Sequence, residues 1–312
     1  MNTNISARRV FPSRLRLALL FAGPLLFTSC IHNTLSHQAL SFNRTVHEHR
    51  VEQLLLNVLR ASNREPMALT AVTSLSTSNT KRASIGPVSG TFGALATDLY
   101  TGSVSGSVSA SPNMAITILD DDPDFMRGFV SPVPHSTIRH FLEQGWNSQL
   151  LALLLIEEIK NTKNGNFVND PRDPEAFSAF RDLLRSNLQY LEVVDDQVRL
   201  RVTGSDALVV VRSPQSVLYY LGELARIQLG NQSNGVIPTI DSHGVEEPLF
   251  LIERVGEKAG KSGGSVVYRG QFYRVPMDQD SRSLQALAFV QQLINLQTKT
   301  VAPAPSTLRL VP

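Results

Sequence analysis

Several residue groups in this chain have the types from which chemistry is built, and each is judged by its spacing. Gly256-Glu257-Lys258-Ala259-Gly260-Lys261-Ser262 has the ingredients of a phosphate cradle. Such a loop needs four residues between its first Gly and the Gly-Lys-Ser, and here there are three. A strand pattern follows it, where a helix N-terminus would have to face the phosphate, so it is read as a solvated hairpin loop. His47-Glu48-His49 offers two imidazoles, but residues two apart on a helix point to nearly opposite sides and cannot hold one ion. Asp120, Asp121, Asp122 and Asp124 form a dense acidic run around Pro123. Their oxygens are a weak candidate for a hard cation such as calcium. The run lacks the alternating spacing and the Gly of a calcium loop, and the competing expectation is a turn whose Asp residues cap the next segment. No G-x-S-x-G elbow occurs. Trp146, Tyr219, Tyr220, Tyr268, Phe272 and Tyr273 are expected in the core or at amphipathic edges rather than around a ligand. No catalytic residue, metal or cofactor is assigned.

The remaining reactive side chain is the single cysteine, Cys30. One Cys allows no disulfide within the chain and no cysteine-based metal centre. Its position is informative. Arg8, Arg9, Arg14 and Arg16 stand in a segment with no carboxylate, and Leu17 to Phe27 is apolar apart from Gly23 and Pro24. This is the charge and hydropathy pattern of an export signal, and the apolar run is too short for a stable span, which needs about twenty residues. It ends in Leu26-Phe27-Thr28-Ser29-Cys30. Small residues directly before a Cys resemble the lipobox of bacterial lipoproteins, with Phe27 where that family usually carries Leu. The resemblance implies cleavage between Ser29 and Cys30, a diacylglyceryl group on the Cys30 Sγ and acylation of the new amino terminus. Several acyl chains hold a protein stably to a bilayer, where one is marginal at about 0.8 kcal/mol per buried methylene. Ile31 follows, where an Asp would signal inner-membrane retention in the enteric sorting system, so the resemblance implies the outer membrane. Arg8-Arg9-Val10-Phe11 also resembles a twin-arginine signal, the less favoured export route.

Net charge points the same way. The chain of 312 residues carries +2, and removing the four leader arginines leaves −2. A nearly neutral domain has no basic field for phosphates, which argues against nucleic acid as a partner. The expected partners are the membrane, through the N-terminal lipid, and another envelope protein.

The elements that would have to position any site are read as follows. Residues 1–29 are the signal peptide, 30–42 a tether and 43–300 one α+β domain, with a Pro-rich tail at 301–312. The length affords a sizeable core. Val51, Leu54, Leu55, Val58 and Leu59 predict a helix over 43–64. Residues 70–112 are dominated by Ser, Thr, Gly and Ala. They are read as a mobile, low-complexity excursion with some strand character, since Val and Ser alternate near residue 104. Met114–Leu119 predicts a strand. Helices are expected over 135–144, 147–161, from Pro174 to about 190, from Pro214 to 230, and from Ser281 to about 298. Ser213-Pro214 and Asp173-Pro174 give two of them a cap and a first residue. Residues 198–202 and 207–211 predict paired strands, 230–247 a loop, and 249–255 with 265–275 an antiparallel pair. Leu308–Leu310 suits one more edge strand. The sum is helices packed on a small, mostly antiparallel sheet.

Stretches such as Leu54–Pro66 and Phe125–Ile159 resemble bacterial lipoproteins to which no activity is attached, so no residue role is carried over. The function expected is that of a membrane-anchored envelope lipoprotein, a non-enzymatic scaffold or interaction protein. An envelope hydrolase with a dispersed active site and a module binding a small ligand or lipid are the alternatives.

Overall fold

The structure, a computed structural model, describes residues 40, 43–85, 104–162, 165–187, 191–194, 197–202, 205–230, 234–242, 244–256, 264–276 and 281–297. Cys30, Ser29, the rest of the tether apart from Leu40, the Pro-rich tail and most of the Gly256–Ser262 loop lie outside them. The chain divides into a unit over Met1–Val51 and a larger one over Glu52–Pro312. In the first, residues 43–51 are helical and Arg44 pairs with Glu48 at 2.8 Å, one turn apart.

Helix α1 (52–62) opens the second unit. There it is followed by β1 (Thr70–Ile85), β2 (Val104–Ile118), α2 (Pro123–Val130), α3 (His135–Glu143), α4 (Ser148–Leu155), β3 (Ile156–Thr162), β4 (Gly165–Val168) and α5 (Pro174–Asn187). Next come β5 (Leu191–Val194), β6 (Gln197–Val202), β7 (Ser205–Val211), α6 (Pro214–Gln228), β8 (Thr239–Ser242), β9 (Val245–Pro248), β10 (Glu253–Val255), β11 (Ser265–Tyr268), β12 (Gln271–Arg274) and α7 (Arg282–Gln297). All described pairings are antiparallel, and the fold is α+β. The main sheet has the order β4-β3-β7-β6-β5, and a three-stranded sheet has the order β10-β12-β11.

Helix α6 is the hub of the body. Ser213 caps it by accepting from Ser216 N at 3.1 Å, and Pro214 fixes its first residue. Val217, Leu218, Leu221, Leu224 and Ala225 are buried, and the helix meets α2, α4 and α7. Phe141, Trp146 and Phe289 form an edge-on aromatic cluster with ring centroids 4.9–5.7 Å apart, which places Trp146 in packing contact rather than at a ligand. Helix α5 packs on β4 and β6, and α3 on β5. No helix among the described residues is long and apolar enough to cross a membrane.

Three expectations are corrected. The helix read over 147–161 ends at Leu155, and Ile156 begins β3. The apolar run continues past that point, so its period gives no stop signal. Segment 265–275 is not one strand paired with 249–255. It folds on itself at Arg269-Gly270, where both residues have positive φ (50° and 76°), the geometry of a tight two-residue hairpin. β10 then adds to the outer side of β12. The loop read over 230–247 contains β8, and the β8–β9 hairpin turns at Gly244 with φ of 85°.

Within residues 70–112, read as an excursion with some strand character, and on to Ile118, β1 and β2 form a long antiparallel ribbon, in register from Thr70↔Ile118 to Ile85↔Val104 with one irregularity between Val72 and Ser74. The segment 86–103 that joins them lies outside the described residues.

Gly222 marks where α6 crosses α1 most closely. A Cβ there would lie 2.8 Å from the Ala61 Cβ and 2.8 Å from the Ser62 backbone nitrogen. Helix propensity alone favours Ala over Gly by about 1 kcal/mol. Backbone cannot yield as a side-chain tip would, so the clash wins. Gly222→Ala is expected to destabilise the fold by about 1–3 kcal/mol, read as an earlier midpoint in urea unfolding.

Candidate functional site

Two places in the body concentrate polar groups, and the ribbon is fixed to one of them. Asn57, fully buried on α1, donates from Nδ2 to Ala68 O and accepts at Oδ1 from Ala68 N, both at 2.9 Å. The side chain therefore acts as one more strand for the segment leading into β1. One turn earlier, Gln53 does the same to Thr70, its amide oxygen accepting from Thr70 N at 2.9 Å and its nitrogen donating to Thr70 O at 3.2 Å. From the other side, the Asp120 carboxylate accepts from Leu69 N at 3.2 Å through both oxygens, and Leu119 N donates to Leu69 O at 2.9 Å. The root of the ribbon is thus held on both strands by groups whose partners are backbone.

The acidic run is accounted for in the same way. Asp120 clamps the ribbon root. Asp122 caps α2, accepting from Asp124 N at 2.9 Å and Phe125 N at 3.3 Å. Asp124 pairs with Arg127 at 3.1 Å, and Asp121 is exposed. Among the described residues no group of three or more His, Cys, Asp or Glu is arranged to hold a metal ion.

Beyond its root, the ribbon is defined by its register. Directly opposed residues of an antiparallel pair belong to one face. One face takes Val104, Gly106, Val108, Ala110, Pro112, Met114, Ile116 and Ile118 from β2, opposite Ile85, Ala83, Lys81, Asn79, Thr77, Leu75, Val72 and Thr70 of β1. The other takes Ser105, Ser107, Ser109, Ser111, Asn113, Ala115 and Thr117, opposite Ser84, Arg82, Thr80, Ser78, Ser76, Ser74 and Ala71. One face is predominantly apolar, the other predominantly hydroxyl. The irregularity at Thr73 is what makes this possible. Val72 and Leu75 are three apart and would fall on opposite faces of a regular strand. One extra residue restores them to the same face. Ile118, at the root of the apolar face, is 56% exposed. Among the described residues β1 and β2 pair as strands only with each other, so no third strand lies beside either outer edge there.

The second polar concentration is buried. Arg212, just past β7, sends Nη1 to the carbonyls of Ile156 (2.7 Å), Leu153 and Leu154 (3.3 Å each) and Nη2 to Asn169 O at 2.7 Å. Its guanidinium lies 4.1 Å from the centre of the Tyr220 ring. Asn169 donates from Nδ2 to Leu153 O and Ile156 O, both at 2.8 Å, and accepts from Tyr220 Oη at 3.0 Å. Burial pulls the Arg212 guanidinium below its ordinary value, while Tyr220, Glu157 and Asp170 act in the opposite sense. Burial also pushes the Tyr220 phenol upward. The cation is stabilised by the carbonyl end of α4, where the helix dipole is negative, and by the aromatic face. These groups are occupied with one another and with backbone, and the arrangement ties α4, β3, β7 and α6 together.

Of the other singled-out residues, Tyr268 and Tyr273 make an edge contact in the three-stranded sheet, at 6.4 Å between centroids. Arg269 at its hairpin turn pairs with Glu65. Glu223 of α6 receives Arg64 and Arg226, each at 2.5 Å. An apolar cavity of about 10 Å³ lies among Ile138, Leu151, Leu155, Val198 and Val211, the space of about one water molecule. Arg212, Asn169 and Asn57 were not anticipated from the sequence, because their partners are backbone groups with no residue-type signature.

Arg212→Leu is expected to destabilise the fold by about 2–4 kcal/mol, since the Asn169 and Leu154 carbonyls lose their side-chain donor in a dry site. Tyr220→Phe removes one hydrogen bond and is expected to lose about 1 kcal/mol. Urea unfolding of both variants checks the order; equal midpoints would contradict it. No protein-family model, no curated protein and no solved structure matches this chain.

Proposed function

We propose that this chain is a lipid-anchored protein of the bacterial outer membrane, with a non-enzymatic role in assembly through its β1–β2 ribbon. The anchor part of the reading is supported by the arginine-rich, acid-free leader, the short apolar run and the single cysteine placed after Thr28-Ser29. The assembly part is carried by one observation, the two open edges of a ribbon whose root is clamped at Asn57, Gln53 and Asp120. An open strand edge is a template for another strand, and exposed edges are ordinarily short or covered. This one extends over fifteen or more residues. A two-stranded hairpin is marginal by itself in water. A ribbon held this firmly at one end is built to be completed by a partner.

The anchor is tested by mass spectrometry of the mature N-terminus and by fractionation. The expected result is an amino terminus at Cys30 bearing a diacylglyceryl group and an amide-linked acyl chain. Cys30→Ala should remain uncleaved between residues 29 and 30. An unmodified Cys30 thiol in the mature protein rules the anchor out.

A further inference from the structure

The solvent for which the ribbon is built can be read from its length, its charges and its edges. Between the root and Lys81, neither strand carries a charge. That stretch runs over 70–80 in β1 and 109–118 in β2, about ten residues each, the length with which a tilted strand crosses the hydrocarbon core of a bilayer. Lys81 and Arg82 stand at its far end, and Asp120, Asp121, Asp122 and Asp124 at its root. Charges therefore bracket an uncharged span on both sides. Within that span the alternation is the one a barrel strand requires, apolar residues on one face and small polar ones on the other.

The edges then decide the assembly. In a bilayer every backbone donor and acceptor has to be paired within protein, so a lone ribbon with two open edges cannot reside there; a closed barrel can. Copies of the chain solve the problem directly. β1 of one copy beside β2 of the next continues the antiparallel order, and the head-to-tail contact closes into a ring. Resting on the membrane-anchored reading above for its bilayer, we infer that β1 and β2 are the transmembrane hairpin of a homo-oligomeric β-barrel. Acyl chains cover the apolar face, the hydroxyl face lines a water-filled lumen, and each copy supplies two strands. The smallest such barrels have about eight strands, which sets a minimum of about four copies.

Two residues of the apolar face bear on where the bilayer ends. Lys81 is opposite Val108, at the far end of the uncharged stretch. Asn79, one step inward on that face, lies just below this boundary. Pro112 supplies no N–H, so it removes at most one bond from the ladder.

The test uses the full-length lipidated protein, reconstituted in vesicles of phosphatidylethanolamine and phosphatidylglycerol. Acylation consumes the Cys30 thiol, so an introduced cysteine is the sole reactive one. Val108→Cys, Met114→Cys and Ile116→Cys probe one face; Ser107→Cys, Ser109→Cys and Ser111→Cys probe the other. Each carries a polarity-sensitive fluorophore. The expected result is emission alternating with period two, lipid-like at the first three positions and water-like at the second three. Vesicles should also conduct small ions. Ile116→Asp should abolish conductance while leaving the urea midpoint of the body unchanged. Water-like emission at all six positions in vesicle-bound protein overturns the barrel and leaves the anchor standing. Loss of the anchor reading has a separate signature, an unmodified Cys30 thiol in the mature protein, and the alternation, read on a Cys30→Ala background, then judges the barrel alone.

Discussion

A buried peptide group has to be hydrogen-bonded, and the consequences of that rule organise this molecule. They are sharpest at the end of α4. The run Leu150–Ile156 is buried throughout, and the carbonyls of the last helical turn have no partner within the helix. Arg212 and Asn169 supply donors to Leu153, Leu154 and Ile156. An unpaired buried acceptor costs about 1–3 kcal/mol, so the chain leaves the helix where those donors stand. It continues as β3, and Arg212 N completes the turn by donating to Leu155 O at 2.7 Å. The main sheet starts from this point. A buried cation is expensive, and here the negative end of α4, the Tyr220 ring and the charges of Glu157 and Asp170 offset that expense.

This also separates what the sequence could disclose from what it could not. Helices α2, α5 and α6 each begin with a capping side chain and a proline, Asp122-Pro123, Asp173-Pro174 and Ser213-Pro214. These signals are local, and the starts of α5 and α6 are legible, whereas at Asp122 only a turn capping the next segment is expected and α2 is not. The end of α4 is set by residues at positions 169 and 212, remote in the chain, and its apolar period runs on without interruption. The hairpin at Arg269-Gly270 is legible only in part, because Gly is a turn residue but Arg rarely takes positive φ. At the end of α1 the chain turns at Arg64, also with φ of 60°. Glu65 N donates to Arg60 O and Arg64 N to Ala61 O, the closing bonds of a helix that would ordinarily place Gly at that position. Its side chain is held instead by Glu223.

The ribbon was the least legible part, for two physical reasons. Its composition of Ser, Thr, Gly and Ala buries too little apolar surface to fold in water by itself, so it reads as an excursion. Its period was visible in β2, where Val and Ser alternate, but the extra residue at Thr73 shifts the phase of β1 midway. Simple alternation then places Val72 and Leu75 on different faces. Only the pairing register recovers a common one, and a register depends on both strands together.

The same rule that ends α4 bears on what the ribbon is for. At its root the peptide groups of Ala68, Leu69 and Thr70 are met by Asn57, Asp120 and Gln53, so the body completes the backbone as far as it reaches. Above the root, the pairing between β1 and β2 uses half of the backbone groups, and among the described residues no further strand lies along the outward half. In water, hydration satisfies those groups and the apolar face is the liability. In a bilayer the apolar face is satisfied and the outward backbone groups become the liability. Neither environment suits a single copy on both counts. Joining copies edge to edge within a membrane meets both demands at once. The membrane-anchored reading proposed above supplies the bilayer that such an arrangement requires.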